Sequence, residues 1–321
     1  MTLDEVLRQP EQAQRSIIRD SVGQWFLHGD FALIEGFAEE ARTRKLRTSS
    51  GLWIIGLLYG GIDQVADYKS VRSDPEWDRL ESVGRRWLRA YPKSPTAKIA
   101  YAAILQNRAW FYRGGGYASA VSDAQFAAFH RQIDKAREYQ LSTREVAKVD
   151  PDWYLELLAT CRLERHSDRA KFERTFREAV RVFPDFYPLY FEAMTYYLPK
   201  WRGSIGELEH FARGVMQGRD RRTGHMLYAR IYWYASESQF KDAIFVTSAA
   251  HWDAMREGFE TIVHDFPDAW NIKNHARFAC LVGDQGTTRD AFDRIQEPVK
   301  EAWESTEQYR QCEHFAGRSS T

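Results

Sequence analysis

"AVRVFPDFYPLYFEAMTYYL" (179–198) decides the fold of this chain, because its outline occurs three times. "WLRAYPKSPTAKIAYAAIL" (87–105) and "TIVHDFPDAWNIKNHARFACL" (261–281) repeat the order: apolar helix end, aromatic, proline, short turn, second apolar helix. Aligned on Pro92, Pro184 and Pro267, the preceding aromatics are Tyr91, Phe183 and Phe266. Four before the proline stand Leu88, Val180 and Val263. Five after it stand Ala97, Leu189 and Ile272, and twelve after it Ile104, Tyr196 and Ala279. This is the stripe of one amphipathic helix, a proline break, then the stripe of the next. The prolines are 92 and 83 residues apart. Helical repeats run about 34–47 residues, so each interval has room for two units. "DPDWYLELLATCRLERHSD" (150–168) and "GHMLYARIYWYASES" (224–238) fit as intermediate units. The spacing predicts an all-α, tetratricopeptide-like α-solenoid of degenerate helix-pair repeats, in which neighbours stack because no pair buries its own apolar face.

Helix starts support this. "TLDE" (2–5), "STRE" (142–145) and "SIGE" (204–207) have capping-box spacing. "SDPEW" (73–77) and "VDPDW" (149–153) place Asp before Pro, as an N-cap before a first-turn proline. "GLWIIGLLYGGI" (51–62) is the most apolar run and is too short for a bilayer, so it reads as a buried helix. The expected organisation is an N-terminal helix or arm (1–20), one α-helical repeat domain (21–312) and a frayed tail (313–321).

Composition narrows the function classes. Hydrophobic residues make up 44% of the 321 positions, enough for a core and too many for a disordered chain. The 45 basic and 45 acidic residues cancel, which argues against a dedicated nucleic-acid binder. "RTRKLR" (42–47) and "RDRR" (219–222) read as solvated surface. Cys161, Cys280 and Cys312 are far apart, without CxxC or disulfide spacing, which fits a reducing cytoplasm. No basic-then-apolar leader opens the sequence, so no secretory signal is expected. Membrane insertion is not expected either.

Two motifs are candidates for chemistry. In "YRGGGYAS" (112–119), glycines around Gly115 free the backbone to approach a ligand, and Tyr112 and Arg113 flank them. It lacks the lysine–hydroxyl end of a P-loop and the dinucleotide spacing, and it also reads as an inter-helix loop. "LPKWRGS" (198–204) sets Lys200, Trp201 and Arg202 at a helix start, where an acidic peptide could bind. It also reads as a corner in which Trp201 packs while the cations stay in water. Trp153 of "DPDWY" and Tyr190 complete the candidate partner- or ligand-binding set. No HExxH, GxSxG or convergent His/Cys set is present, so no metal, cofactor or catalytic residue is assigned.

The stretches "LHGDFALIEGFAEEARTRKLRTSSGLWIIGLLYGGI" (27–62), "AWFYRGGGYAS" (109–119), "DPDWY" (150–154) and "YYLPKWRGS" (196–204) together resemble the bacterial family called domain of unknown function 4034, over roughly residues 20–215. The resemblance implies a bacterial, all-helical, tetratricopeptide-like protein and brings no activity or catalytic residues. That family carries Gly where this chain has Arg202. The leading expectation is a protein-interaction module, since helical repeats make grooves for peptides and interface hot spots favour Trp, Tyr and Arg. One version is an accessory or immunity-type partner of one bacterial protein. The alternative is an enzyme or small-ligand binder with an anion pocket where the Arg113 and Trp201 motifs converge.

Overall fold

The computed structural model describes residues 3–166, 168–201, 203–295, 302–303 and 305–318. The chain is all-α. Among the described residues the only β pairing is an isolated antiparallel bridge between Arg47 and Trp53. The described chain groups into two compact units.

Unit 1 comprises Met1–Arg8, Gln12–Thr48 and Leu52–Leu189. Its helices are α1 (Leu3–Leu7), α2 (Glu11–His28), α3 (Phe31–Thr43), α4 (Ile54–Val65), α5 (Asp74–Ala90), α6 (Pro95–Arg113), α7 (Asp123–Ser142), α8 (Arg144–Ala147), α9 (Pro151–Leu163) and α10 (Arg169–Val182). The unit boundary falls within α11 (Pro188–Tyr197). At the centre is α6, packed against α4, α5, α7, α8 and α9. Its alanines, Ala97, Ala100, Ala102, Ala103 and Ala109, are buried beside Ile99, Ile104 and Leu105. Small side chains on several faces let neighbouring helices close in, and Ala costs the least helix propensity. Ser94 caps the helix by accepting from the Ala97 N–H, and Pro95 opens it. Apolar α4 buries Ile54, Ile55, Leu57, Leu58, Tyr59 and Ile62, as expected of the 51–62 run. Trp77, Trp87 and Trp153 are fully covered, and Phe31 stacks on Trp87 with centroids 5.4 Å apart.

Unit 2 comprises Tyr190–Thr321 with Gln9–Glu11 and Ser49–Gly51. It contains α12 (Ile205–Gln217), α13 (Arg221–Ala235), a π-helical turn at Ser236–Phe240, α14 (Ile244–Thr247), α15 (Trp252–Asp265), α16 (Ala269–Val282), α17 (Gln285–Phe292) and α18 (Thr306–Phe315). Here α13 is central and packs on α12 and α15. The approach is close because of two glycines. A Cβ on Gly224 would sit 2.2 Å from the Met216 carbonyl oxygen, and one on Gly258 would sit 2.1 Å from that of His225. Tyr228 and Tyr232 both donate to Glu209 of α12, at 3.0 and 2.5 Å. The short segment 49–51 is held by buried polar groups. Glu11 accepts from the Ser50 N–H at 2.7 Å, and the Ser50 carbonyl accepts from Arg230 at 3.0 Å and Asn271 at 3.3 Å.

The threefold echo is structural. Tyr91, Phe183 and Phe266 cap α5, α10 and α15 with nearly one backbone conformation: φ/ψ of −130/68°, −126/66° and −134/76°. Each donates its N–H to the carbonyl four residues back at 2.8 Å. The following helix then buries Ala97, Leu189 and Ile272. Proline after the cap forbids continuation of the helix, so the aromatic residue turns the chain at the same place each time.

Several local expectations are corrected. Ser142 ends α7 and donates back to the Tyr139 carbonyl, so "STRE" does not start a helix with a capping box. In "SDPEW" the cap is Ser73, forming a capping box with Glu76, and Asp74 is already helical. The serine wins because its position leaves Glu76 at N3, where the carboxylate reaches the Ser73 N–H. Asp150 and Ser204 do cap α9 and α12. Thr2 of "TLDE" lies outside the described residues. The helix α18 extends through Phe315, into the segment expected to be frayed.

The cysteine reading is also corrected. Cys280 of α16 and Cys312 of α18 form a disulfide, with Cα atoms 5.7 Å apart. They are 32 residues apart, but α18 packs on α16 and brings them together. Spacing could not reveal this, and the inference from cysteine spacing to compartment falls with it. Cys161 is a buried free thiol. No described helix is long and apolar enough to cross a membrane.

Candidate functional site

The glycine loop between α6 and α7 is held from within. Arg113 ends α6, and Gly114 takes φ +73°, a conformation glycine reaches without steric cost. The Arg113 guanidinium lies over the rings of Trp110 (5.1 Å) and Phe126 (5.8 Å). Its Nη1 donates to the carbonyls of Gly114 (2.9 Å) and Gly116 (3.1 Å). Arg113 therefore braces its own loop, with loop carbonyls turned toward the cation. A nest of N–H groups for an anion would need the opposite orientation. Gly115 passes close to Tyr68, whose hydroxyl would be 2.8 Å from an added Cβ. Tyr112 donates to Asp74 at 2.7 Å and accepts from Arg108 at 3.1 Å. Arg108 in turn ties Asp74, Asp78 and Glu81. At the tip of this braced loop Tyr117 is 87% exposed, the highest value among the described large apolar side chains.

The remaining sequence candidates divide between core and surface. Trp153 is buried in unit 1, its indole N–H on the Gln140 carbonyl at 3.1 Å and Arg144 over its ring. Tyr190, Lys200 and Trp201 belong to unit 2. The buried Tyr190 accepts from Arg219 at 3.0 Å. Lys200 is exposed, and its ammonium and N–H reach the Ser238 carbonyl and the Gln239 side chain on the π-helical turn. Trp201 is half-buried in the turn closed by its N–H on the Leu198 carbonyl. Arg202 lies outside the described residues.

The same "DPDWY" that supplies Trp153 also builds a buried carboxylate cluster, which sequence reasoning missed. Asp150 is fully covered. One of its oxygens accepts from Arg42 (2.9 and 2.8 Å) and from the Tyr59 hydroxyl (2.9 Å); the other caps the Asp152 N–H at 3.0 Å. Arg42 also donates to Thr96 at 2.7 Å. One residue pair thus fastens α3, α4, α6 and α9. "RTRKLR" is accordingly not all solvated surface: the Arg42 side chain is 14% exposed, because a buried carboxylate requires a paired cation.

Electrostatics within the cluster are strongly perturbed. Burial pushes the Asp150 carboxyl up, against the pull of Arg42. Asp152 is pushed up further, by burial and then by the negative charges of Asp150, Glu156 and Asp63, with Arg42 opposing. Its Oδ2 has no hydrogen-bond partner among the described residues, so nothing at that oxygen offsets the loss of water around the ionised form. Burial raises Asp63 on α4 to about 6, although Asn107 donates to it at 2.8 Å and Arg19 lies nearby. The only sequence signal was a pair of aspartates flanking the first proline of an otherwise apolar helix, which also describes an ordinary capped helix.

In unit 2, Arg221 and Arg222 of "RDRR" line an open groove of about 630 Å³ with Arg256, Glu257, Glu260 and two histidines. Each cation there meets a carboxylate: Arg221 pairs bidentately with Glu257, Arg222 with Asp265, and Arg256 with Glu260. Arg221 and Arg222 thus lie on the solvated, charge-balanced surface expected for residues 219–222, whereas half-buried Arg219 donates to the buried Tyr190. No group of three or more His, Cys, Asp or Glu residues that could hold a metal occurs among the described residues. No family model and no curated protein matches this chain.

Proposed function

We propose that the protein is a tetratricopeptide-like interaction module that engages another protein through the loop between α6 and α7. The observation that carries this reading is Tyr117, exposed at the tip of a loop whose base Arg113 clamps by two hydrogen bonds and two ring contacts. The chain covers most of its other large rings. A tyrosine left in water on a pre-ordered loop fits an interface anchor: large contact area, few rotamers to freeze, little loop entropy left to lose. The stretches that resemble the 4034 family include this loop, and a bacterial partner protein fits the same reading.

The test is a photo-crosslinking residue placed at 117 in the source cells, with the same residue at exposed Val246 as control. A discrete protein should crosslink at 117 and not at 246. Tyr117→Ala should weaken that complex by about 30-fold, the effect of a roughly 2 kcal/mol hot spot, without changing thermal stability. Equal crosslinking at both positions, or a complex indifferent to Tyr117→Ala, would overturn the proposal. A second reading, a ligand-binding or catalytic pocket, draws on the buried Asp152, its carboxyl pushed well up, beside the Arg42-paired Asp150. It requires a small-molecule mass in the native mass spectrum that disappears in Asp152→Asn.

A further inference from the structure

We infer that the Cys280–Cys312 bond is an exchangeable clasp on the C-terminal helix, opened by a dithiol that enters the groove beside it. The groove has a volume of about 540 Å³, and both half-cystines line it together with Asp242, Ser305, Gln308 and Phe315. The two sulfurs are not equivalent. Cys312 is 2% exposed, in a cluster with Ala276, Phe292 and Trp303. Cys280 is only partly buried and packs at the cluster's edge. An incoming thiolate therefore meets Cys280, and Cys312 is the leaving sulfur.

The exchange balances as follows. The thiolate of the dithiol attacks Cys280 Sγ. A new S–S bond forms to Cys280, the Cys280–Cys312 bond breaks, and its electron pair leaves on Cys312 Sγ. The second thiol of the reagent then attacks the mixed disulfide and releases Cys280. The reagent is oxidised by two electrons to its own disulfide, the protein disulfide is reduced by two, and the two thiol protons end on Cys280 and Cys312.

Opening the clasp matters because it is the covalent tie on α18, whose other ties among the described residues are non-covalent. Of its ten residues, Cys312 alone is fully buried. Among the described residues its other ties include Gln308 to Asp242 (2.5 Å), Gln285 to the Phe315 carbonyl (2.8 Å), Arg289 to the Ala316 carbonyl (3.2 Å), and Tyr309 against Phe292 and Trp303. A helix this short is marginal without tertiary support. Reduction thus converts a covalently fixed helix into one held by non-covalent contacts.

The test uses the full chain under native conditions with dithiothreitol as the dithiol. Iodoacetamide trapping should label Cys280 and Cys312 while leaving buried Cys161 unlabelled. Amide exchange in residues 305–318 should then speed up by about tenfold or more, with the rest of unit 2 unchanged. Single variants separate the sulfurs. Cys280 in Cys312→Ser should react with Ellman's reagent about tenfold faster than Cys312 in Cys280→Ser. Burial raises the Cys161 thiol to about 11, making it the slow internal reference. Three results would overturn the inference: reduction only at denaturant concentrations that also expose Cys161, unchanged exchange at 305–318 after reduction, or equal reactivity of the two sulfurs.

Discussion

Asp63→Asn should make the protein more stable, with a gain that grows with pH. Asp63 sits on α4, the most apolar helix of unit 1, and burial raises its carboxyl to about 6. In the unfolded chain the group titrates near 3.9. The folded state therefore holds this proton more tightly. Its contribution is most favourable below about pH 4 and is lost as pH rises through about 6. Two pKa units correspond to about 3 kcal/mol of cost once the group is ionised. Asparagine cannot ionise, and its carbonyl oxygen can still accept the Asn107 amide. The variant should gain about 3 kcal/mol at pH 8 but only about half of that at pH 5, where the folded carboxyl is mostly protonated. Thermal melts of both proteins from pH 5 to 8 provide the assay. At pH 8 the midpoint should rise by about 6–12 °C, and the difference should narrow steadily on acidification. An unchanged or lower midpoint at pH 8 would show that Arg19 and Asn107 stabilise the ionised carboxylate more than burial penalises it. A gain independent of pH would also refute the reasoning, because it could not come from the proton.

Arg42→Met should destabilise unit 1 by about 3–5 kcal/mol in urea titrations, since it strands Asp150 in the core. That loss should deepen as pH rises, because Asp150 without its cation must either take up a proton or remain buried as an unpaired charge. Gly258→Ala should cost about 2 kcal/mol or more in thermal unfolding, because the new methyl meets the His225 carbonyl and forces α13 and α15 apart. Trp201→Ala should cost about 2 kcal/mol, in keeping with a half-buried ring; a loss of 4 kcal/mol or more would make it a core anchor and remove it as a docking residue.

The helical corners were legible because they depend on local chemistry. Tyr91, Phe183 and Phe266 each precede a proline, and that order suffices to stop one helix and aim the next. The apolar run 51–62 was legible for a similar reason, as its composition alone demands burial. Caps were legible to within a residue: Ser73 and Asp74 are both good caps, and the position of Glu76 chose between them. What escaped depends on contacts across many residues. Arg42 looks like any surface arginine until Asp150, 108 positions later, arrives beneath it. Cys280 and Cys312 have unremarkable spacing, and only the stacking of α18 on α16 pairs them. Of the candidate site, the glycine loop was legible from "YRGGGY", whereas the use of Arg113 as a brace was not. A guanidinium next to glycines looks the same in sequence whether it faces a ligand or its own loop.

Ser50 has a consequence for how this chain is made. Its carbonyl is an acceptor for Arg230 and Asn271, and its N–H needs Glu11. The C-terminal unit is therefore not a contiguous piece of sequence. During synthesis, residues 9–11 and 49–51 leave the ribosome on the order of ten seconds or more before α13 and α16 exist to receive them. Until then the Ser50 carbonyl has water in place of Arg230 and Asn271. A fragment beginning at Tyr190 would never receive that loop, and its Arg230 and Asn271 would face the vacated space. Dissection of this protein at a single cut would thus yield a C-terminal piece that lacks part of its own interior.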